Sequence, residues 1–224
     1  MRVLGFDSSG SACSAAVRDG ERLLAHRSVA METGQAERLV PMIEAVMREA
    51  GLDFAALDLI AVTLGPGAFT GVRIGIAAAE GLALASGRPA LGLSSFAAVA
   101  AGVPGGLRAG RTLVAAIESR REELYLQAFD RAELPLAPGA LVAPASWAQW
   151  LPAGALLLAG DGAPRLAAAL AGRDATRVPG AGLVDAGDVA ALALRRWRPD
   201  AAPQRLEPIY LRAPDTTLPK EARR

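Results

Sequence analysis

The 224-residue chain has one cysteine, Cys13, and one histidine, His26. A single cysteine excludes an internal disulfide framework. One thiol and one imidazole cannot supply a four-ligand N/S zinc site, and the two residues stand on neighbouring strand-like runs rather than at ligand spacing, so both read as structural. Hydrolysis by a Ser-His-Asp arrangement would depend on His26 alone. The segment Gly92-Leu93-Ser94-Ser95-Phe96 lacks the second glycine of a nucleophile elbow, and Ser94 or Ser95 is better placed as the N-cap of a helix through Phe96 to Ala101. Lysine occurs once, at Lys220. That position is far from any glycine loop, which removes a Walker A reading.

Aromatic residues make up only 4% of the chain, while 52% is hydrophobic and much of that is alanine. Packing must therefore rest on small and aliphatic side chains, and helices can approach closely. Charge of either sign is scarce in excess: 24 basic against 23 acidic residues, net +1. This balance argues against an autonomous nucleic-acid binder, so any RNA contact is expected to be shared with a partner. No apolar run approaches the ~20 residues of a membrane helix, and Arg2 is followed at once by Val3 to Asp7 without the long apolar stretch of a secretory signal. A cytoplasmic protein with no membrane contact is expected.

What the chain does contain is organised around Gly65-Pro66-Gly67-Ala68-Phe69-Thr70-Gly71. This loop follows a strand-like run, Leu59 to Leu64, and opens a helix-like run, Val72 to Ser86. Thr70 is the expected N-cap, and the free N–H groups beyond it suit a phosphate or carboxylate. The dinucleotide fingerprint does not fit, because the spacing is G-x-G-x-x-x-G and the loop lies behind a different first unit.

That first unit is a three-strand meander: Val3 to Phe6, Ala12 to Val17 and Arg22 to Ser28, with a D-G hairpin turn at Asp19-Gly20. A strand ending in Asp7 and turning through Ser8, Ser9 and Gly10 has the form of a phosphate loop, although Asp and Ser also serve turns by bonding their own backbone. A helix to Ala50 follows, with Leu39, Ile43, Val46 and Ala50 on one face and Met42 and Met47 broadening it. Next come a strand at Leu59 to Thr63, the glycine loop and its helix, a strand at Ala90 to Leu93 and the helix from Ser95. Gly102 to Gly106 reads as a hinge. Beyond it, Thr112 to Ile117 and Leu124 to Phe129 form a hairpin, Pro135 to Pro144 a loop, Leu156 to Ala159 a buried strand, and Asp188 to Trp197 the last helix. Asp161 stands where it could cap the helix from Pro164. The expected organisation is an N-terminal lobe at 1–102, a C-terminal lobe at 107–212, and a disordered tail at 213–224. Residues 205–212 are expected to add a strand or to cross back onto the first lobe.

The strings VLGFDSSGSACSAAV (from Val3), ERLVPMIEAVMREAG (from Glu37), LGPGAFTGVRIGIAAAEGLAL (from Leu64) and Pro208-Ile209-Tyr210-Leu211-Arg212 together resemble the TsaB family, bacterial proteins of tRNA threonylcarbamoyladenosine synthesis. The resemblance implies an actin-like, ribonuclease H-like α/β fold of two lobes, each a mixed sheet with flanking helices. It also implies a non-catalytic scaffold subunit that binds and supports the catalytic TsaD subunit, with the ATPase TsaE joining them and tRNA met only through the complex. TsaD carries metal-binding histidines on its first helix. The matching segment here, Thr33 to Met42, has none, and Gln35 stands where many family members have histidine. No metal and no required cofactor are expected.

A degenerate ATP or ADP site would involve Asp7, Ser8, Gly65, Gly67, Thr70 and Gly71. Glu118 replaces the family's usual aspartate at the second phosphate loop. The partner interface implied by the resemblance comprises Leu39, Met42, Ile43, Val46 and Met47 of the first helix and Ile76, Ala79 and Ala83 of the second, with a homodimer as the alternative assembly of the isolated chain. The alternative function is an ATP-dependent small-molecule kinase of the same fold, whose general base would come from Asp7, Glu118 or Asp161.

Overall fold

A computed structural model describes residues 1–200 and 205–212 of the chain. The expected tail at 213–224 lies outside the described residues. Among the described residues, ten strands fall into two five-stranded sheets. In the first half the elements run β1 (Arg2–Asp7), β2 (Ala12–Asp19), β3 (Arg22–Ala30), α1 (Gln35–Ala50), β4 (Leu59–Thr63), α2 (Phe69–Ser86), β5 (Ala90–Leu93) and α3 (Ser95–Ala101). The second half continues with β6 (Thr112–Glu118), β7 (Leu124–Phe129), β8 (Ala140–Val142), α4 (Trp147–Trp150), β9 (Leu156–Ala159), α5 (Ala163–Ala169), β10 (Ala175–Arg177) and α6 (Ala186–Arg196).

The two sheets have the same plan. The first is ordered β3-β2-β1-β4-β5 and the second β10-β9-β6-β7-β8, which is the same sequence of partners read from the opposite edge. In each, a meander of three antiparallel strands is extended by two parallel ones. This is the two-lobe mixed-sheet architecture that the order of elements implied.

Alternation along β1 sets the layers. Leu4 and Phe6 join α1 and α2 in a core on the outer face of the first sheet. Val3 points the other way, into a core shared by α3, α6 and strands of both sheets. Val114 and Ala116 of β6 face a third core with Trp147 of α4 and Leu166 of α5. Helices α3 and α6 are therefore the filling between the sheets.

The last helix returns to the first sheet. A side chain on Gly5 would lie 2.7 Å from the Ala186 carbonyl oxygen and 2.8 Å from the Ala190 nitrogen, so β1 and α6 touch backbone to backbone. Asp185 caps α6 by accepting from the Gly187 N–H at 2.7 Å, and His26 Nε2 meets its other carboxylate oxygen at 2.8 Å. The lone histidine thus ties β3 to the seat of α6. Cys13 is buried, and burial pushes its thiol up to about 11, which leaves it inert at neutral pH.

Three local expectations are corrected. Thr70 lies inside α2, whose N-cap is Ala68 with no side-chain cap bond. Residues 135–144 hold the three-residue strand β8, too short for a readable period. Asp161 accepts from the Glu118 N–H at 2.8 Å instead of capping α5. The 18-residue α2 is long and apolar enough by length and composition alone to cross a membrane, its alanines and aliphatic residues raising its hydropathy, and it packs on the first sheet with 28% of it buried.

Candidate functional site

Asp7 ends β1 at the centre of the first sheet and is fully buried. Its Oδ1 accepts from the Ser9 N–H at 3.2 Å, from Ser9 Oγ at 2.6 Å and from Thr63 Oγ1, while Oδ2 has no partner. Ser9 Oγ also lies 3.1 Å from Ser95 Oγ. Burial pushes the Asp7 carboxyl up, against the opposing pull of the Ser9 and Thr63 hydrogen bonds. A carboxylate that is to orient a metal-bound water has to reach the cleft, and this one is enclosed by its own hydroxyl neighbours.

The glycine loop closes over that turn. Ala68 N–H donates to the Ser9 carbonyl at 2.7 Å, and Ser8 Oγ donates to the Gly71 carbonyl at 2.9 Å. An added side chain would lie 2.2 Å from the Ser9 oxygen at Gly67 and 2.0 Å from the Ser8 oxygen at Gly71. Gly65 adopts a left-handed φ of 95°. Its N–H neighbour Leu64 offers a carbonyl that accepts from Ile209 at 2.7 Å. The glycines therefore let two stretches of backbone pack directly on each other.

Of the residues expected at a nucleotide site, Asp7, Ser8, Gly67 and Gly71 are brought together, with Asp7 and Ser8 underneath and the loop as their cover. Gly67, Thr70 and Gly71 line a cavity of about 650 Å³ on the other side of the loop. Its other walls are Ala68, Phe69, Ile74 and Tyr125, residues 32–37 at the start of α1, the turn Ser119-Arg120, and residues 209–212 of the returning chain. That returning segment crosses onto the first lobe without forming a strand, with Leu206 in the outer core and Leu211 against the inner one.

Between the lobes, Asp161 stands within 3.5 Å of Ser11 and receives the Glu118 N–H. Burial pushes both Asp161 and Glu118 up, and Glu118 is drawn back by its 2.8 Å ion pair with Arg165. Arg120, at a left-handed φ of 61°, donates to the Glu32 carbonyl at 2.9 Å and so bridges the second sheet to the start of α1. Among the described residues no group of three or more His, Cys, Asp or Glu side chains is arranged to hold a metal ion.

Most of the expected interface residues are taken up by the chain's own core. Leu39, Met42, Ile43, Val46 and Met47 are all within 3% of fully buried, Ala79 is fully buried, and Ile76 is 8% exposed. A 3.6-residue period marks the inner face of a helix, and that face is taken by the chain's own sheet. Ala83 is half-buried at the same core. The exposed surface of these helices includes Val40, Pro41 and Glu44 of α1 with Ala77, Glu80, Gly81, Leu84 and Ala85 of α2, and Leu84 is 87% exposed. Sequence reasoning also passed over Phe69 and Tyr210 on the cavity lining and Arg73 stacked against them.

A family model described as "TsaD: tRNA N6-adenosine threonylcarbamoyltransferase" matches residues 31–156. The tRNA threonylcarbamoyladenosine biosynthesis protein TsaB of Escherichia coli is 35% identical over 133 residues, which cover 59% of this chain and 57% of that protein. The chain thus matches somewhat over half the length of that relative. An uncharacterised protein of Mycobacterium bovis is 35% identical over 217 residues, covering 95% of this chain and 92% of that one. The solved structure of YeaZ from Pseudomonas aeruginosa superposes with a TM-score of 0.80 at 31% identity, over 94% of this chain and 99% of that one. With sequence and fold both matched along nearly the full YeaZ chain, this protein belongs to the TsaB/YeaZ family.

Proposed function

We propose that the chain is a non-catalytic subunit of the assembly that forms threonylcarbamoyladenosine in tRNA, where it binds and supports a TsaD-type catalytic chain and is joined by a TsaE-type ATPase. The observation that carries this reading is the outward face of α2. Ala77, Gly81, Leu84 and Ala85 are exposed along it, with the exposed carboxylate of Glu80 one turn before Leu84, and Leu84 is 87% exposed. Small residues around one large one allow a second helix to approach closely and cover that side chain.

Two features support a supporting rather than a catalytic role. Asp7 is fully buried, and the backbone at Gly67 and Gly71 packs directly on the Ser8-Ser9 turn. No nucleotide is required by this reading, and a kinase-like general base at Asp7 would first need the loop to lift away. Capture of a purified TsaD-type chain tests the reading. Wild-type protein is expected to retain the partner and Leu84→Asp to lose it; retention by both, or by neither, contradicts it.

A further inference from the structure

The chain has 5 Phe, 3 Trp and 2 Tyr residues, and two of these few rings are spent at one surface point. Phe69 and Tyr210 are 42% and 41% exposed, with their rings stacked at a centroid distance of 5.3 Å and an interplanar angle of 27°. The Arg73 guanidinium lies 3.6 Å from the Phe69 ring centroid and 5.6 Å from that of Tyr210. All three stand at or beside the rim of the 650 Å³ cavity, with Arg120 on its wall. Among the described residues neither Arg73 nor Arg120 is paired with a carboxylate.

We propose that this rim holds single-stranded RNA, with an unpaired base stacked on the Tyr210 ring and neighbouring phosphates met by Arg73 and Arg120. The inference rests on the subunit reading above. An exposed ring offers every base a π face, and a guanidinium free of carboxylates adds charge and planar donors for phosphate. The cavity lining itself balances Glu32 and Glu37 against Arg120 and Arg212, so it carries no excess positive charge to hold the phosphates of a free nucleotide. That favours a strand running along the open rim over a free nucleotide sunk inside. The net charge of +1 is too small to hold RNA by general attraction, so the contact serves a complex whose other members supply most of the affinity.

The test uses the full chain assembled with its TsaD-type partner, and the chain alone at low salt, each titrated with a fluorescein-labelled RNA hairpin carrying an unpaired loop. Phe69→Ala and Tyr210→Ala are each expected to weaken RNA binding about tenfold. Arg73→Gln is expected to lower the salt slope by about 0.7, the share of one single-strand phosphate. Partner capture and thermal unfolding are expected to stay unchanged in all three. Unchanged RNA affinity in the variants overturns the proposal. So does loss of partner capture in place of RNA binding, which makes the rim a protein contact, and so does displacement of the hairpin by ATP, which makes it a mononucleotide site. Wild-type protein that captures the partner but no RNA defeats this inference and leaves the subunit reading standing; failure of capture defeats that reading, and the low-salt titration still decides this one.

Discussion

Ser8 and Gly71 hold the first turn and the second helix together twice over: Ser8 Oγ donates to the Gly71 carbonyl at 2.9 Å, and the bare Gly71 Cα faces the Ser8 carbonyl, which an added side chain would meet at 2.0 Å. A loop that resembles an open phosphate cradle is thus a lid of backbone laid on backbone.

This contact predicts the cost of a single methyl group. Gly71→Ala cannot be accommodated by turning a side chain, because the obstacle is backbone, and it is expected to destabilise the protein by about 2–4 kcal/mol. Gly81→Ala, on the same helix with nothing within 4 Å of the new atom, is expected to stabilise by up to about 1 kcal/mol. Urea unfolding of the two variants checks both signs.

The inward and outward faces of α1 and α2 separate in the same way. Met42→Ala removes a side chain only 3% exposed and is expected to cost about 2–5 kcal/mol of stability. Leu84→Asp alters a side chain 87% exposed, so stability should hold within about 0.5 kcal/mol while capture of a TsaD-type partner falls by about tenfold or more. Denaturation and quantitative pull-down, run on the same preparations, read the two effects apart.

A pH dependence follows from Asp188. Its carboxyl is raised from 3.8 to about 6, first by burial and then by Asp185, against the opposing charges of Arg18, His26 and Arg195. It also abuts the C-cap glycine of α3, since an atom added at Gly102 would lie 2.3 Å from its Oδ2. The folded state therefore binds a proton between about pH 4 and 6 that the unfolded chain does not, and stability from this group rises as pH falls through 6. Asp188→Asn is expected to raise Tm at pH 7.5 by about 2–4 °C, on the order of 1 kcal/mol, with the gap to wild type closing below about pH 5. Thermal scans across that range measure it; a gap that widens on acidification would refute the assignment.

The fold was legible where the chain signals its own periods. The meander from Arg2 to Ala30, the helix faces and the strands beside the glycine loop all follow from alternation, a D-G turn and 3.6-residue spacing. The strands β8 and β10 carry three residues each and offer no period to read. The seating of α6 on β1 joins residues 5 and 190, and nothing local in either segment announces a partner so distant. The site was half legible for a similar reason: glycines mark close approach, but the sequence does not say whether ligand or chain does the approaching. For α1, the apolar stripe was visible while its destination was not, and the stripe went to the chain's own sheet.

Transfer of the threonylcarbamoyl group to tRNA, reconstituted from TsaD-type and TsaE-type chains with and without this protein, tests the central claim most directly. The account predicts no transfer by this chain alone, transfer when it joins the other two, and loss of that gain with Leu84→Asp. Equal transfer in its absence, or ATP turnover and transfer by the isolated chain, would contradict it.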